Sequence, residues 1–243
     1  MQKPEQPAVE RAEPMRSGWA ESSTLMRDYY DREWGLPVTT EQGLYERLCL
    51  ESFQAGLSWA TVLSRRQAFR EAFADFDPET VAAFGEDDVE RLVLNASIIR
   101  SRPKIEAAIS NARATLTLRR AAAESADSRG DGENEHSDAA LTAFTLPRAQ
   151  GQPLRIAAGL PALIWSFAPL STPMPTDHTE VPTWTEDSAA LARQLKSHGF
   201  RFIGPVSAFA LMEACGLVDT HWITSHRRGI SGIFGPDGTR PEA

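Results

Sequence analysis

The chain has 243 residues, a 42% hydrophobic and 24% charged composition, and a formal net charge of −8. That length suits one sizeable domain or two small lobes, and the charge argues against a protein that coats DNA electrostatically, though not against one that touches a few phosphates. No apolar run is long enough to span a bilayer, and two cysteines, Cys49 and Cys215, exclude a metal site or disulfide framework built on cysteine alone.

Residues 1–16 are polar and proline-rich with no apolar core of a signal peptide, so a flexible tail is expected. Both cysteines sit in apolar stretches and read as buried, reduced thiols, which points to the cytoplasm. From residue 43 to residue 76, Leu44, Leu48, Leu57, Val62, Phe69 and Phe73 recur at helical spacing. Asp77-Pro78 opens another helix, with aspartate as the cap and proline at a favoured early position. A short helix follows, then a tight connection near residues 95–102 and a longer amphipathic helix from about Lys104. Residues 121–140 carry six acids and one arginine among Ala, Ser and Gly, and the stretch 119–159 is expected to be a disordered insert. LPALIWSFAPL resumes the fold at residue 160. Thr185 or Asp187 caps the next helix, Gly199 stops it, and a further apolar helix starts near Pro205. Residues 228–243 are rich in Gly and Pro and read as a second flexible tail. With no alternating strand pattern and no internal repeat, the fold class is all-α.

One feature needs a chemical explanation. LCLESFQAGLSWATVL, residues 48–63, is a greasy helical run holding a single carboxylate, Glu51. A buried ionised carboxylate is expensive unless it is paired or hydrogen-bonded. From the residues alone, Glu51 is a half-exposed face residue, one arm of a structural ion pair, or an acid kept for a ligand. Trp59 and Tyr29 likewise read first as packing residues.

Four stretches together resemble the 3-methyladenine DNA glycosylase I family: GWAESSTLMRDYYDREWGLP (18–37), LYERLCLESFQAGLSWATVLSRRQAFREAF (44–73), LVLNASIIRSRPKIEAAISNARA (92–114) and SHGFRFIGPVSAFALMEACGLVDTH (197–221). The resemblance runs in order over most of residues 17–225. It implies a helix-hairpin-helix glycosylase, two helical lobes with the base pocket between them, in a domain spanning 17–227. The implied activity is monofunctional hydrolysis of the N-glycosidic bond of 3-methyladenine, and the implied partner is double-stranded alkylated DNA bound by a monomer with no membrane contact. By the same resemblance Glu51 is the base-binding acid, Tyr29, Trp59 and Trp19 are the aromatic residues of the pocket, and Met26 stands where an aromatic is common. The hairpin's phosphate contacts would come from Ser97, Arg100, Arg102 and Lys104, with Ser97 and Pro103 at plausible glycine positions of the turn. The family's structural zinc would be held at positions that are here Ser17, Tyr30, His221 and Ser225. Three of those four are hydroxyls, which are poor zinc ligands at neutral pH. The expectation is therefore no metal and no cofactor, with a hydrogen-bonded cluster of the four residues joining the two ends of the domain. A non-catalytic lesion-binding protein is the main alternative, and a hydrolase of free nucleosides a third.

Overall fold

The centre of the protein, seen in a computed structural model that describes residues 14–128 and 141–242, is the helix α2 (Glu41–Gln54). Thr40 caps it by accepting from the Gly43 amide at 3.2 Å, and every residue from 44 to 53 is buried. The sequence spacing placed one apolar face here. The helix is instead enclosed all round, so its charged residues Glu46, Arg47 and Glu51 are buried too.

Around α2 run α1 (Thr24–Arg32), α3 (Trp59–Leu63), α4 (Arg66–Ala72), α5 (Pro78–Ala82), α6 (Glu86–Leu94), α7 (Arg102–Ser128), α8 (Leu160–Trp165), α9 (Glu186–Ser197) and α10 (Pro205–Ala214). The helices α3, α7, α8 and α10 all pack on α2. Local chemistry sets the boundaries. Asp77 caps α5 at 2.8 Å with Pro78 in the first turn, as the sequence indicates. Of the two cap candidates for α9 it is Thr185 that serves, in a reciprocal box with Ser188. Between α2 and α3 the chain turns at Gly56, whose φ of +80° is open to glycine without strain.

Two apolar clusters result. The larger joins α2 to α7, α8, α9 and α10. The smaller is built from Ala20, Met26, Tyr29, Tyr30, Trp34, Leu63 and Ala214, and Trp59 packs against both.

Two expectations are corrected. The insert read as disordered over 119–159 is structured wherever it is described: α7 continues to Ser128, and β1 (Phe144–Leu146) pairs antiparallel with β2 (Leu154–Ile156). Alanine's helix propensity outweighs the acidic composition in the first part, and burial of Leu141, Leu146 and Ile156 in the main core anchors the second. Residues 129–140 lie outside the described residues. The small hairpin also qualifies the all-α reading, which otherwise holds.

The C-terminal stretch 228–242 is likewise fixed rather than loose. Its glycines make turns, while Ile233 and Phe234 are buried in the core and Arg240 donates to the carbonyls of Pro169 and Ala168 at 2.8 and 3.2 Å. Of the N-terminal tail, residues 1–13 lie outside the described residues. Arg16 is fastened to Asp31 by two hydrogen bonds, at 2.8 and 2.7 Å.

Candidate active site

A cavity of about 620 Å³ opens between the end of α2, the start of α3, the N-terminal aromatic cluster and α10. Each wall has a local cause. Gly56 ends the run of α2, and Ser58 caps α3 by accepting from the Thr61 amide at 3.2 Å. That places Trp59 in the first turn of α3, where it faces the cavity. Tyr29, on the buried face of α1, stands 5.5 Å from Trp59 between ring centroids. Trp19, 37% exposed, lies at the edge, 6.4 Å from Tyr29 and 5.2 Å from Trp34.

Glu51 reaches the same cavity from α2 and is only 4% exposed. Among the described residues nothing donates a hydrogen bond to its buried Oε2, and no basic side chain forms an ion pair with it. Burial, then the nearby charge of Glu213, pushes its carboxyl up to about 8, with Arg47 pulling the other way. The ring N–H of Trp59 is also buried without a partner. The cavity therefore presents a free acceptor and a free donor among aromatic faces.

The acids just behind Glu51 are treated differently. Glu46, also on α2, accepts from Arg66 at 2.9 Å and from Arg70 at 2.7 Å, and is paired with Arg47 as well. Glu33 accepts from Arg66 at 2.6 Å and pairs with Arg47. Burial alone would raise Glu46, but the hydrogen bonds from Arg66 and Arg70 outweigh it and draw the acid down to about 2. Arginine is thus available one turn away from Glu51 and is spent on other acids.

Comparison with known proteins decides the family. The methyladenine glycosylase family profile matches residues 19–128 and 152–228. DNA-3-methyladenine glycosylase 1 of Escherichia coli K12 is 40% identical over 209 residues, covering 85% of this chain and 92% of the relative. The chain belongs to the methyladenine glycosylase family. The DNA-3-methyladenine glycosylase of Haemophilus influenzae is 38% identical over 85% of this chain and 94% of its own length. A crystal structure of 3-methyladenine DNA glycosylase I superposes with a TM-score of 0.69 at 37% identity, over 86% of this chain and 96% of that one. The Staphylococcus aureus enzyme, solved to show how it recognises 3-methyladenine, gives a TM-score of 0.64 at 28% identity, over 83% and 89% of the two chains.

Within this family frame the zinc positions can be tested against their chemistry. Ser17, Tyr30, His221 and Ser225 do come together, and all are buried. The Tyr30 phenol lies 2.7 Å from the Ser225 hydroxyl and is also hydrogen-bonded by Ser17, while the His221 ring packs edge-on to Tyr30 at 5.1 Å. His221 Nδ1 is held by Asp219 at 2.7 Å. One imidazole nitrogen, Nε2 of His221, is buried without a partner among the described residues, and the other three groups are hydroxyls, two of which bond each other. That donor set does not fit a structural zinc. The same junction is tied by Asp31, which holds Arg16 and lies 3.1 Å from His226 Nε2.

The four expected backbone contacts divide. The turn between α6 and α7, residues 95–101, carries Arg100 exposed and with no partner among the described residues. Arg102, by contrast, is caged by Glu86 at 2.8 Å, by Glu90 and, more loosely, by Glu106 at 3.8 Å. Lys104 donates to the carbonyls of Phe53 and Ala55 at 2.9 and 2.5 Å, which fastens the turn beside the cavity. The Ser97 amide is taken by the Asn95 side chain at 2.9 Å, and Arg65 reaches the Ala96 and Ser97 carbonyls at 3.3 and 3.1 Å.

Sequence reasoning missed Trp34, Trp222, Thr220 and Glu213, all of which line the cavity. Glu213 had a signal. It is a lone acid in an apolar helical run, FALMEACGLV, the same pattern that singled out Glu51.

Proposed function

We propose that this chain is a monofunctional DNA glycosylase of base excision repair that removes 3-methyladenine from alkylated double-stranded DNA, acting as a monomer in the cytoplasm. The observation that carries the proposal is the buried, unpartnered carboxylate of Glu51 in an aromatic cavity beside an exposed arginine turn. Among the described residues no helix is long and apolar enough to cross a membrane.

3-Methyladenine in DNA is a cation, and its glycosidic bond is weak because the base leaves as a neutral molecule. Little acid catalysis is needed. What is needed is a pocket that accepts a flipped cationic purine in preference to neutral adenine. The Glu51 carboxylate can accept from the exocyclic amine and favours the positive ring, while Trp59 and Tyr29 offer aromatic faces for stacking and cation–π attraction. Trp19 would close the outer edge. Water adds its oxygen to C1′ as the C1′–N9 bond breaks, the bonding electrons neutralise the purine, and the water's proton passes to solvent. Among the described residues no lysine lines the cavity, and Lys104 is held by two main-chain carbonyls, so these residues offer Schiff-base chemistry no amine. Arg100 would meet a phosphate, and Ser97, Arg102 and Lys104 would shape the turn that presents it. The Ser17–Tyr30–Ser225 cluster with His221 would do the joining work of the family's zinc, so no cofactor is required.

The test is chromatography of bases freed from methylated duplex DNA by wild type and by Glu51→Gln, with and without chelator. Release of 3-methyladenine by wild type, indifferent to chelator and lowered about 100-fold or more in the variant, supports the reading. Tight retention on alkylated DNA without any base release would replace it with the lesion-binding alternative.

A further inference from the structure

The cavity holds a second acid. Glu213, near the end of α10, lines the same cavity as Glu51, and α10 packs on α2. Its Oε1 accepts from the Thr220 hydroxyl at 2.5 Å, and among the described residues no basic side chain forms an ion pair with it. Among the described residues the buried acids Glu46 and Asp219 are each paired with an arginine or histidine, whereas Glu51 and Glu213 are not. Two neighbouring carboxylates without counter-ions are unfavourable in an empty pocket, because each desolvates and repels the other. A fold that only needed to position the Thr220 hydroxyl could use a neutral amide oxygen for the same bond.

Resting on the reading that this cavity takes a flipped cationic purine, we propose that Glu213 is a second specificity-determining acid, which with Glu51 makes a two-carboxylate receptor for positive charge. The charge of the incoming ring then replaces the missing counter-ion for both acids at once. A neutral purine gains nothing from the second carboxylate.

The protonation of the pair follows. Burial pushes Glu213 up to about 7, with the Thr220 bond opposing, and Glu51 lies at about 8. The other ionisable groups facing them are Arg47 on α2, Tyr29 on α1, Cys215 after α10 and His178 at the rim. Near neutral pH the empty pocket therefore holds protons that a cation displaces, and affinity for a cation rises as pH rises from about 6 to 8.

The experiment compares two small probes by quenching of tryptophan fluorescence: 3,9-dimethyladeninium, a permanent cation with methyl in place of the sugar, and neutral 9-methyladenine. Wild type should prefer the cation. Glu213→Gln, which keeps an oxygen for Thr220, should lower the cation-to-neutral affinity ratio about five- to tenfold, leave 9-methyladenine within twofold, and flatten the pH dependence of cation binding. Thr220→Ala keeps the carboxylate and, at a pH high enough to ionise Glu213 without the Thr220 bond, should keep the ratio. An unchanged ratio in Glu213→Gln, or an equal loss in Thr220→Ala, would overturn the proposal while leaving the role of Glu51 standing. A wild type with no preference for the cation would overturn both.

Discussion

Replacing Glu51 with glutamine should make the empty protein more stable as it makes the enzyme worse, and the gain should grow with pH. The carboxyl is 4% exposed, and burial with the Glu213 charge moves it from 4.5 to about 8. Below pH 4.5 folded and unfolded chains both carry the proton, and the acid sets no pH dependence. Between 4.5 and about 8 the unfolded chain ionises while the folded one does not, so stability falls by about 1.4 kcal/mol per pH unit. Above about 8 the loss levels off. The whole window amounts to about 5 kcal/mol, of which about 3 kcal/mol accrues between pH 5 and pH 7. Glutamine has the same shape and no charge to lose. Any fixed penalty from its unpartnered amide is independent of pH, so the change in the difference between the two proteins isolates the carboxyl. Urea titrations of both proteins at pH 5, 6, 7 and 8 measure it directly, and in thermal melts the divergence from pH 5 to 7 corresponds to about 5–10 °C for a chain of this size. Parallel stability curves, differing by a constant amount from pH 5 to 8, would show that Glu51 ionises normally in the pocket. The argument that it waits for a cation would then be wrong.

Trp59→Ala should weaken binding of the cationic purine about 10- to 100-fold through lost stacking, with affinity for undamaged duplex unchanged; fluorescence anisotropy on the two ligands separates these. Arg100→Ala should lower the slope of log affinity against log salt by about one, whereas Arg102→Ala, already caged by Glu86 and Glu90, should leave it unaltered. Chelator should not change the melting temperature, while Ser225→Ala should cost about 1–3 kcal/mol in a urea titration by leaving the buried Tyr30 phenol short of a partner. A chelator-induced drop in melting temperature would restore a metal to the junction.

The parts of this fold that were legible in the sequence are those whose cause is local. Asp77-Pro78 and Thr185 mark helix starts because the capping atoms lie within three residues of the amides they satisfy. The β1–β2 pair gave no signal, because three residues per strand are too few for alternation to show. Residues 119–128 were misread because their acidity suggested solvation, whereas their alanines continue α7. The fate of Arg102 was invisible for a different reason. Its cage combines Glu86 and Glu90 from the preceding helix, and a basic residue in a basic-looking turn carries no mark of being already neutralised.

The site shows the same division. The family resemblance singled out Glu51, Trp59 and Tyr29, and all three line one cavity, but it could not show what makes Glu51 different from Glu46, five residues earlier on the same helix. Both are buried. Three arginines converge on Glu46, one from its own helix and two from α4, and none forms an ion pair with Glu51. A buried acid surrounded by arginine is satisfied in the absence of any ligand and has little to offer one. A buried acid without a counter-ion remains protonated until a positive charge arrives, and its ionisation then adds to the ligand's binding. On the proposed function, discrimination between cationic 3-methyladenine and neutral adenine would depend on where the arginines are withheld. Adding one, by Ala210→Arg on the cavity wall, should abolish the cation preference of the purine probes even though every aromatic contact remains.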